Sequence, residues 1–315
     1  MPYYLGIDTG SVSANFAVID EGENLIDSLY LRTRGDPIGA VKRGLSELSA
    51  KFSSNLMSKV GVTGSARELI GLLVGADIVK NEITAHALAA IKTHPEVKTV
   101  IEIGGQDSKI IIIRDGIVVD FAMNTVCAAG TGSFLDHQAT RLGIPIEDFG
   151  DYALSTKNSA RIAGRCTVFA ESDMIHKQAI GAGKGEIIKG LCEALARNYL
   201  SNVAKGKEIL SPIIFQGGVA ANLGMKTALE EALKQEVIIP KNYAVMGAIG
   251  AAMLAKNSVP SKTKFRGLDI FETPTATNSF DCDGCSNTCE VVELKVGSSE
   301  SAYLGGRCGK WEEAR

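Results

Sequence analysis

Three glycine-rich turns and seven cysteines are the residues of this chain whose types and spacing can do chemistry. The turns are Gly6-Ile7-Asp8-Thr9-Gly10-Ser11, Ile103-Gly104-Gly105-Gln106-Asp107-Ser108 and Gly217-Gly218-Val219-Ala220-Ala221-Asn222. In the first two, glycines let backbone N–H groups approach an anion, hydroxyls donate further hydrogen bonds, and the acidic side chains hold Mg²⁺, usually through water. Two such hairpins suit a phosphate tail held from both sides, and the third turn, between a strand and a helix, suits a nucleoside. A single Gly pair is more often just a tight turn, whereas three in this order within a repeated unit carry weight together. Glu102 and Asp107 are strand-end carboxylates that can hold Mg²⁺ or orient water, and Gln106 can place an attacking water.

The cysteines fall into separate groups. Cys127 precedes Gly130-Thr131-Gly132-Ser133, and Cys166 precedes Val168 to Lys177; both stretches read as helix starts. A thiolate there meets the positive end of the helix dipole, which stabilises its negative charge. Taken alone, such cysteines are more often ordinary buried residues. Cys192 lies at helical spacing among Ile188, Leu191 and Leu195 and reads as core. The tail carries Cys282-x2-Cys285-x3-Cys289-x18-Cys308, a metal-ligand count that suits Zn²⁺ or an iron–sulfur cluster, which spacing does not separate. Glu290 to Val296 with Ala302 to Leu304 would form the hairpin that brings Cys308 back. His86, His94, His137 and His176 show no metal spacing and read as satisfied or surface residues. His137 comes nearest to an exception, because it lies on the helix that follows Cys127.

The elements that must position these residues repeat. Tyr3–Asp8, Ala14–Asp20 and Asn24–Arg32 read as a three-stranded meander, and Pro37 then starts a helix with Ile38, Val41, Leu45 and Leu48 on one face. Val60–Thr63 reads as a strand and Glu82–Lys92 as a helix. From Thr99 the order begins again: Val100–Gly104, Lys109–Ile113 and Ile117–Met123 extended, with a turn at Asp115-Gly116, then helices. The chain is therefore an internally duplicated α/β protein of two lobes. A strand at Ile213–Gln216 and a Gly- and Ala-rich helix at Tyr243–Ala255, the latter returning to the first half, complete it. The expected division is a first lobe over 1–94 with 243–257, a second over 95–242, a polar linker over 258–280 and a Cys-rich module over 281–315.

Composition bounds the function. The chain of 315 residues suits about two domains. A net charge of −3 leaves no surplus cation to displace counterions from a polyphosphate, which argues against a nucleic-acid binder. No apolar run approaches the length of a membrane span, and the start of the chain shows no targeting pattern, so a cytoplasmic protein without a membrane partner is expected. In that compartment cysteines serve as metal ligands, catalytic groups or core residues.

The three turns resemble the phosphate-1, phosphate-2 and adenosine motifs of the actin, Hsp70 and sugar-kinase superfamily. Asn124-Thr125-Val126-Cys127-Ala128-Ala129-Gly130-Thr131-Gly132-Ser133 and Gly164-Arg165-Cys166-Thr167-Val168-Phe169-Ala170-Glu171-Ser172-Asp173 narrow the likeness. Over residues 3–255 the chain is similar to the iron–sulfur activator ATPases of 2-hydroxyacyl-CoA dehydratases and benzoyl-CoA reductases. The resemblance implies a duplicated ribonuclease H-like ATPase fold that binds ATP or ADP with Mg²⁺. Asp8, Glu102, Gln106 and Asp107 would be its catalytic residues. The nucleotide would meet Gly10, Ser11, Val12, Ser13, Ala14 and Asn15, then Gly104, Gly105, Gly130, Thr131 and Gly132, and finally Gly217, Gly218, Val219, Asn222 and Gly247.

It further implies Cys127 and Cys166 as ligands of one [4Fe–4S] cluster shared by a homodimer, since two thiolates per chain become four across a two-fold axis. Closing two lobes on ATP would then drive one low-potential electron from a ferredoxin- or flavodoxin-like donor to a partner metalloenzyme. That partner is a 2-hydroxyacyl-CoA dehydratase, a benzoyl-CoA-reductase-type enzyme or a double-cubane-cluster protein, the last ranked first because of the C-terminal cysteines. A metal-free kinase-like phosphotransferase and an iron–sulfur sensor ATPase are the alternatives. Activators commonly carry Lys after the phosphate-1 Ser/Thr run, where this chain has Asn15, so part of the direct charge on the phosphates is lost or supplied from elsewhere.

Overall fold

A computed structural model describes residues 2–124, 130–164, 166–259, 262–297 and 300–311. The opening meander forms as expected: β1 (Tyr3–Thr9), β2 (Ser13–Ile19) and β3 (Leu25–Arg32). Next come α1 (Pro37–Ser49), β4 (Met57–Thr63), α2 (Arg67–Val74), β5 (Ile78–Val79) and α3 (Glu82–Thr93). Pro37 opens α1, and the Asp36 carboxylate accepts from the Gly39 N–H at 2.8 Å, so cap and proline start the helix where its donors would otherwise be orphaned. Its buried face is Ala40, Val41, Gly44, Leu45 and Leu48.

The second round holds β6 (Thr99–Ile103), β7 (Ser108–Arg114), β8 (Ile117–Asn124), α4 (Gly132–Leu142), α5 (Phe149–Leu154), α6 (Thr167–Ala179) and α7 (Lys184–Asn202). It ends with β9 (Ile213–Gln216), α8 (Leu223–Leu233) and β10 (Val237–Ile238), and α9 (Met246–Lys256) follows. The two five-stranded sheets share one order, β3-β2-β1-β4-β5 and β8-β7-β6-β9-β10. In each, the meander is antiparallel, and its first strand pairs in parallel with β4 or β9. The duplication read from turn chemistry is thus a duplication of topology.

The chain divides into two compact units, residues 1–85 with 247–315 and residues 86–246, and the division falls inside α3. In the first unit α9 packs on β1 and β4 through small residues. A Cβ at Gly6 would overlap the Ala248 carbonyl oxygen, and one at Gly61 the Ala251 carbonyl. Gly6→Ala is therefore expected to force α9 off the sheet and cost about 3 kcal/mol, read as a lowered urea midpoint. An unchanged midpoint would show that α9 shifts freely.

The tail differs from the expectation of a linker followed by a separate module. Residues 275–281 form β11 (Thr275–Asp281), which pairs along its length with β12 (Glu290–Val296), and β12 pairs with β13 (Glu300–Leu304). Leu268, Ile270, Leu294 and Val296 are buried in the core of the first unit, so the ribbon is fastened to that unit. β11 reads as a linker because four of its seven side chains in succession face solvent, which erases the period-two signal. In the second unit α7 is the central helix, with Ile187, Ile188, Leu191, Leu195 and Tyr199 all buried.

Candidate functional site

In the first unit the strand register builds a polar cluster at the end of β1. Asp8 stands opposite Asn15 on β2 and Thr63 on β4. The intervening turn is held tightly: Gly10 N–H donates to the Ser13 carbonyl at 2.9 Å. Thr33 pins the tip, its hydroxyl donating to the Ser11 carbonyl at 2.6 Å and its N–H to the Val12 carbonyl at 2.9 Å. Ala14 is fully buried beneath. Thr9 Oγ1, Asn15 Oδ1 and Thr63 Oγ1 are buried and have no hydrogen-bond partner among the described residues. Buried polar atoms are rarely left so. Gly64, in the left-handed region at φ +98°, lies against the backbone of Thr9, and the Ala66 N–H donates to the Thr9 carbonyl at 3.0 Å. Thr9 belongs to the first glycine turn of the sequence, whereas the Thr63-Gly64 corner carries only the signal of a Gly at the end of a strand.

The second unit places its acidic residues around a buried cation. Lys109 is 2% exposed, and its Nζ lies 2.9 Å from Glu102 Oε2 and 3.0 Å from Asp107 Oδ1. Tyr199, also buried, donates its hydroxyl to the Lys109 carbonyl at 2.8 Å. Burial pushes the Glu102 carboxyl above the usual range, with Lys109 opposing. In the sequence Lys109 stands only at the start of an extended segment, although a lone cation in an apolar strand must find a partner when buried.

Glycines surround these carboxylates. A Cβ at Gly104 would meet Asp107 Oδ1 at 3.0 Å and Glu102 Oε1 at 3.2 Å, and one at Gly217 would meet Glu102 Oε1 at 2.6 Å. Gly217, at φ +91°, could not carry a side chain without strain in any case. The turn itself closes through the Gly104 N–H to the Asp107 carbonyl at 3.0 Å, with Gln106 exposed at its tip. The start of α4 docks on it: Gly132 N–H donates to Gly104 O at 2.8 Å, and Ser133 N–H to Gly105 O at 2.7 Å. Gly130 lies beside Ser108 and Asn124, and Thr131 is the buried N-cap residue of α4. Ser108 Oγ is a further buried atom with no partner among the described residues, as is Gln216 Oε1. Gln216 stands opposite Glu102 in the sheet, and its Nε2 lies 2.8 Å from Nδ1 of the buried His86.

The third turn is a short 3-10 helix over Gly218–Ala221, with Val219 against the Gly132 position. Asn222 is committed to the fold. Its Oδ1 accepts from the Met225 N–H at 3.1 Å to cap α8, and its Nδ2 points at Cys192 Sγ, 3.9 Å away. Gly247 lies in the first turn of α9 and belongs to the first unit.

Among the cysteines, Cys166 is the N-cap residue of α6, partly exposed, a free thiol with no capping hydrogen bond. The loop before it is held by the Asp173 carboxylate, which accepts from Ala163 N–H at 2.8 Å, and by Asn198, which donates to the Gly164 carbonyl. Beyond it, Val168 and Phe169 are 66% and 65% exposed. Arg161, His176, Lys177 and Arg197, with Asp173 and Glu193, line a cavity of about 810 Å³ beside this loop. Cys127 lies outside the described residues. Cys192 is fully buried, and burial pushes its thiol up to about 12, as suits an inert core residue. In the tail Cys282 is buried, Cys289 half-buried, and Cys285 and Cys308 exposed. No three His, Cys, Asp or Glu side chains among the described residues already surround one point. No helix among the described residues is long and apolar enough to cross a membrane.

Residues 5–255 match the BadF/BadG/BcrA/BcrD ATPase family. The chain is 34% identical over 255 residues to the (R)-2-hydroxyglutaryl-CoA dehydratase activating ATPase of Acidaminococcus fermentans, covering 80% of this chain and 96% of that one. The crystal structure of that dehydratase's component A superposes with a TM-score of 0.76 over 81% of this chain and 98% of its own. An activator of the 2-hydroxyisocaproyl-CoA dehydratase from Clostridium difficile, solved with bound ADPNP, is 31% identical, with a TM-score of 0.76 over 81% of this chain and 94% of its own. A ROK family glucokinase from Streptomyces griseus, at 14% identity and a TM-score of 0.51 over 81% of this chain and 100% of its own, shares the fold alone. The duplicated architecture is accordingly that of the actin, Hsp70 and sugar-kinase ATPases.

Proposed function

Since this chain belongs to the BadF/BadG/BcrA/BcrD ATPase family, we propose that it hydrolyses ATP to deliver single low-potential electrons to a partner metalloenzyme. The observation that carries the reading is Cys166, a free, partly exposed thiol at the head of α6 with Val168 and Phe169 bare beside it. A dipole-facing thiol in contact with solvent suits a metal thiolate better than a core residue. With Cys127, and with the same pair from a second copy, Cys166 would hold a [4Fe–4S] cluster, which when bound supplies one-electron transfer. Val168 and Phe169 are the apolar surface that such a second copy would cover.

The nucleotide chemistry belongs to the polar clusters of the two units. Asp8 and Asp107 would hold Mg²⁺ through water, and the orphaned hydroxyls of Thr9, Thr63 and Ser108 would complete their hydrogen bonds on phosphate or its water shell. Gly10 and Gly105, without a Cβ, would leave room for a bulky anion, while the N–H groups of Gly10, Gly104 and Gly217 are given to the Ser13, Asp107 and Tyr243 carbonyls and shape the turns. Gln106, exposed at its turn, would orient the attacking water. Lys109 is saturated by Glu102 and Asp107, which leaves Asn15 as a neutral donor where activators carry a cation.

The donor would be a ferredoxin- or flavodoxin-like protein. The acceptor would be a 2-hydroxyacyl-CoA dehydratase, as for the activators of A. fermentans and C. difficile, or a benzoyl-CoA-reductase-type enzyme, since a benzoyl-CoA reductase component of Thauera aromatica is 29% identical. A double-cubane-cluster protein, which the C-terminal cysteines favour, would be a further acceptor of this class.

The test is reduction of a purified dehydratase by the anaerobic, dithionite-reduced chain in the presence of ATP, ADP or ADPNP. Reduction is expected with ATP only. Equal reduction without nucleotide would make the chain a sensor rather than an energy-coupled donor. Iron-free protein that phosphorylates a small hydroxyl compound would make it a kinase.

A further inference from the structure

The family likeness ends at residue 255, and the β11–β12–β13 ribbon beyond it needs an account of its own. One end of the ribbon is anchored: Leu294 and Val296 are buried in the core of the first unit. The other end is the loop Cys282-Asp283-Gly284-Cys285-Ser286-Asn287-Thr288-Cys289, which contains no large apolar side chain to hold it. Its backbone is nonetheless folded back on itself. Cys282 N–H donates to the Cys289 carbonyl at 2.8 Å, which extends the β11–β12 ladder by one directly opposite pair. Thr288 N–H donates to Cys285 O at 3.2 Å, and Gly284 N–H donates to Cys282 Sγ at 3.4 Å.

The fourth cysteine returns to the same end. β13 pairs Leu304 with Val292, so the chain leaves β13 beside Glu290 and enters the cysteine end. The next residue, Gly305, is at φ +95° against the Glu290 carbonyl. Trp311 then packs edge-on against Phe280 and tilted against Tyr303, with ring centroids 5.0 and 5.2 Å away. Lys310 Nζ reaches the glycine of the first turn, 3.1 Å from where a Cβ of Gly284 would stand. The strap that carries Cys308 is thereby laid against the Cys282–Cys285 turn.

We propose that this end of the ribbon is a four-thiolate site for one tetrahedral divalent metal ion of the zinc class, with Cys282 and Cys289 as its formed half and Cys285 and Cys308 closing it. Opposite residues of an antiparallel pair present their side chains on one face. Zn–S bonds of about 2.3 Å set two ligand sulfurs about 3.8 Å apart, which such a pair spans without moving its backbone. The N–H bond to Cys282 Sγ stabilises a thiolate, as donors to ligand sulfurs do. Cys285 and Cys308, both exposed, swing inward as the ion binds, and each thiol that ligates releases its proton. The ion cross-links a loop that has no core of its own, and the site is independent of Cys127 and Cys166.

The experiment is a Co²⁺ titration of the full chain, reduced and chelator-treated without oxygen, followed by Zn²⁺ displacement. One equivalent of Co²⁺ should give thiolate charge-transfer absorption that Zn²⁺ abolishes. Cys285→Ser and Cys308→Ser, both at exposed positions that leave packing intact, should each weaken binding at least about tenfold, since each removes one of four ligands. Cys166→Ser should leave this band unchanged. Absence of the band, its loss with Cys166→Ser alone, a Cys282–Cys289 disulfide in the unreduced chain, or iron with sulfide held by these four thiols would each overturn the proposal. Because the electron-transfer reading is tested through Cys166, failure of one leaves the other standing.

Discussion

Cys166→Ala is expected to lower the anaerobically purified chain from about two irons to none and to abolish ATP-dependent reduction of the acceptor, while the chain stays folded and still binds ATP. The expectation rests on where the side chain sits. As N-cap of α6 it makes no capping hydrogen bond, so its loss removes none of the stability that a Ser or Asp cap would supply. It is partly exposed, so no cavity opens in the core, and Ala170 and Met174 keep the buried face of the helix. The residues assigned to the nucleotide lie on other elements, at Gly104 to Asp107 and Gly217 in the same unit and at Asp8 to Asn15 in the first. Iron and sulfide analysis, an acceptor-reduction assay and nucleotide binding by calorimetry read the three consequences separately. A variant that keeps its iron removes Cys166 from the cluster, and with it the observation on which the electron-transfer reading stands.

Lys109→Met should destabilise the chain by about 3–5 kcal/mol at neutral pH, because it leaves Glu102 buried without its cation. Its pH dependence identifies the cause. Burial already raises the Glu102 carboxyl above its ordinary 4.5, and Lys109 is the largest influence holding it down. Without Lys109 the folded-state value rises further. A carboxyl with a raised folded pKa stabilises the fold fully below its unfolded value, and that contribution is lost as pH climbs through the folded value. The deficit of the variant should therefore be small in acid and grow above pH 4.5, seen as urea midpoints that diverge from wild type between mildly acidic and alkaline buffer. A second change, Glu102→Gln, should return part of the loss at high pH, since it removes the uncompensated charge. A deficit that is flat with pH would show that Lys109 contributes packing rather than charge. Asp107, the other partner of Lys109, sits 3.0 Å from its Nζ, so nucleotide affinity should fall together with stability.

The elements that sequence reasoning reached best are those with a local cause. The meanders, the Pro37 helix and the helix start after Cys166 each follow from periodicity, a capping residue or a turn dipeptide within a few positions. The C-terminal stretch shows the converse. β11 pairs on one side only and exposes most of its side chains, so nothing in its own residues distinguishes it from a linker. Lys109 stands in the sequence at the start of an extended segment, but its role depends on Glu102 across the sheet and on Asp107 at the turn.

The amino-acid sequence by itself determined the duplicated α/β plan, the three glycine turns, the division of the cysteines and the resemblance that links them to an ATPase family. All of these are properties of neighbouring residues, and local sterics and hydrophobic period act over short stretches of chain. Only the tertiary structure decided which polar atoms are buried beside Asp8 without a partner among the described residues, that Asn222 is a helix cap, and that Cys282 and Cys289 face one another across a ladder. Those facts depend on strand register and on packing between segments far apart in the chain. Register is set by the summed burial of whole strands, and a slip of one residue would turn every side chain to the other face.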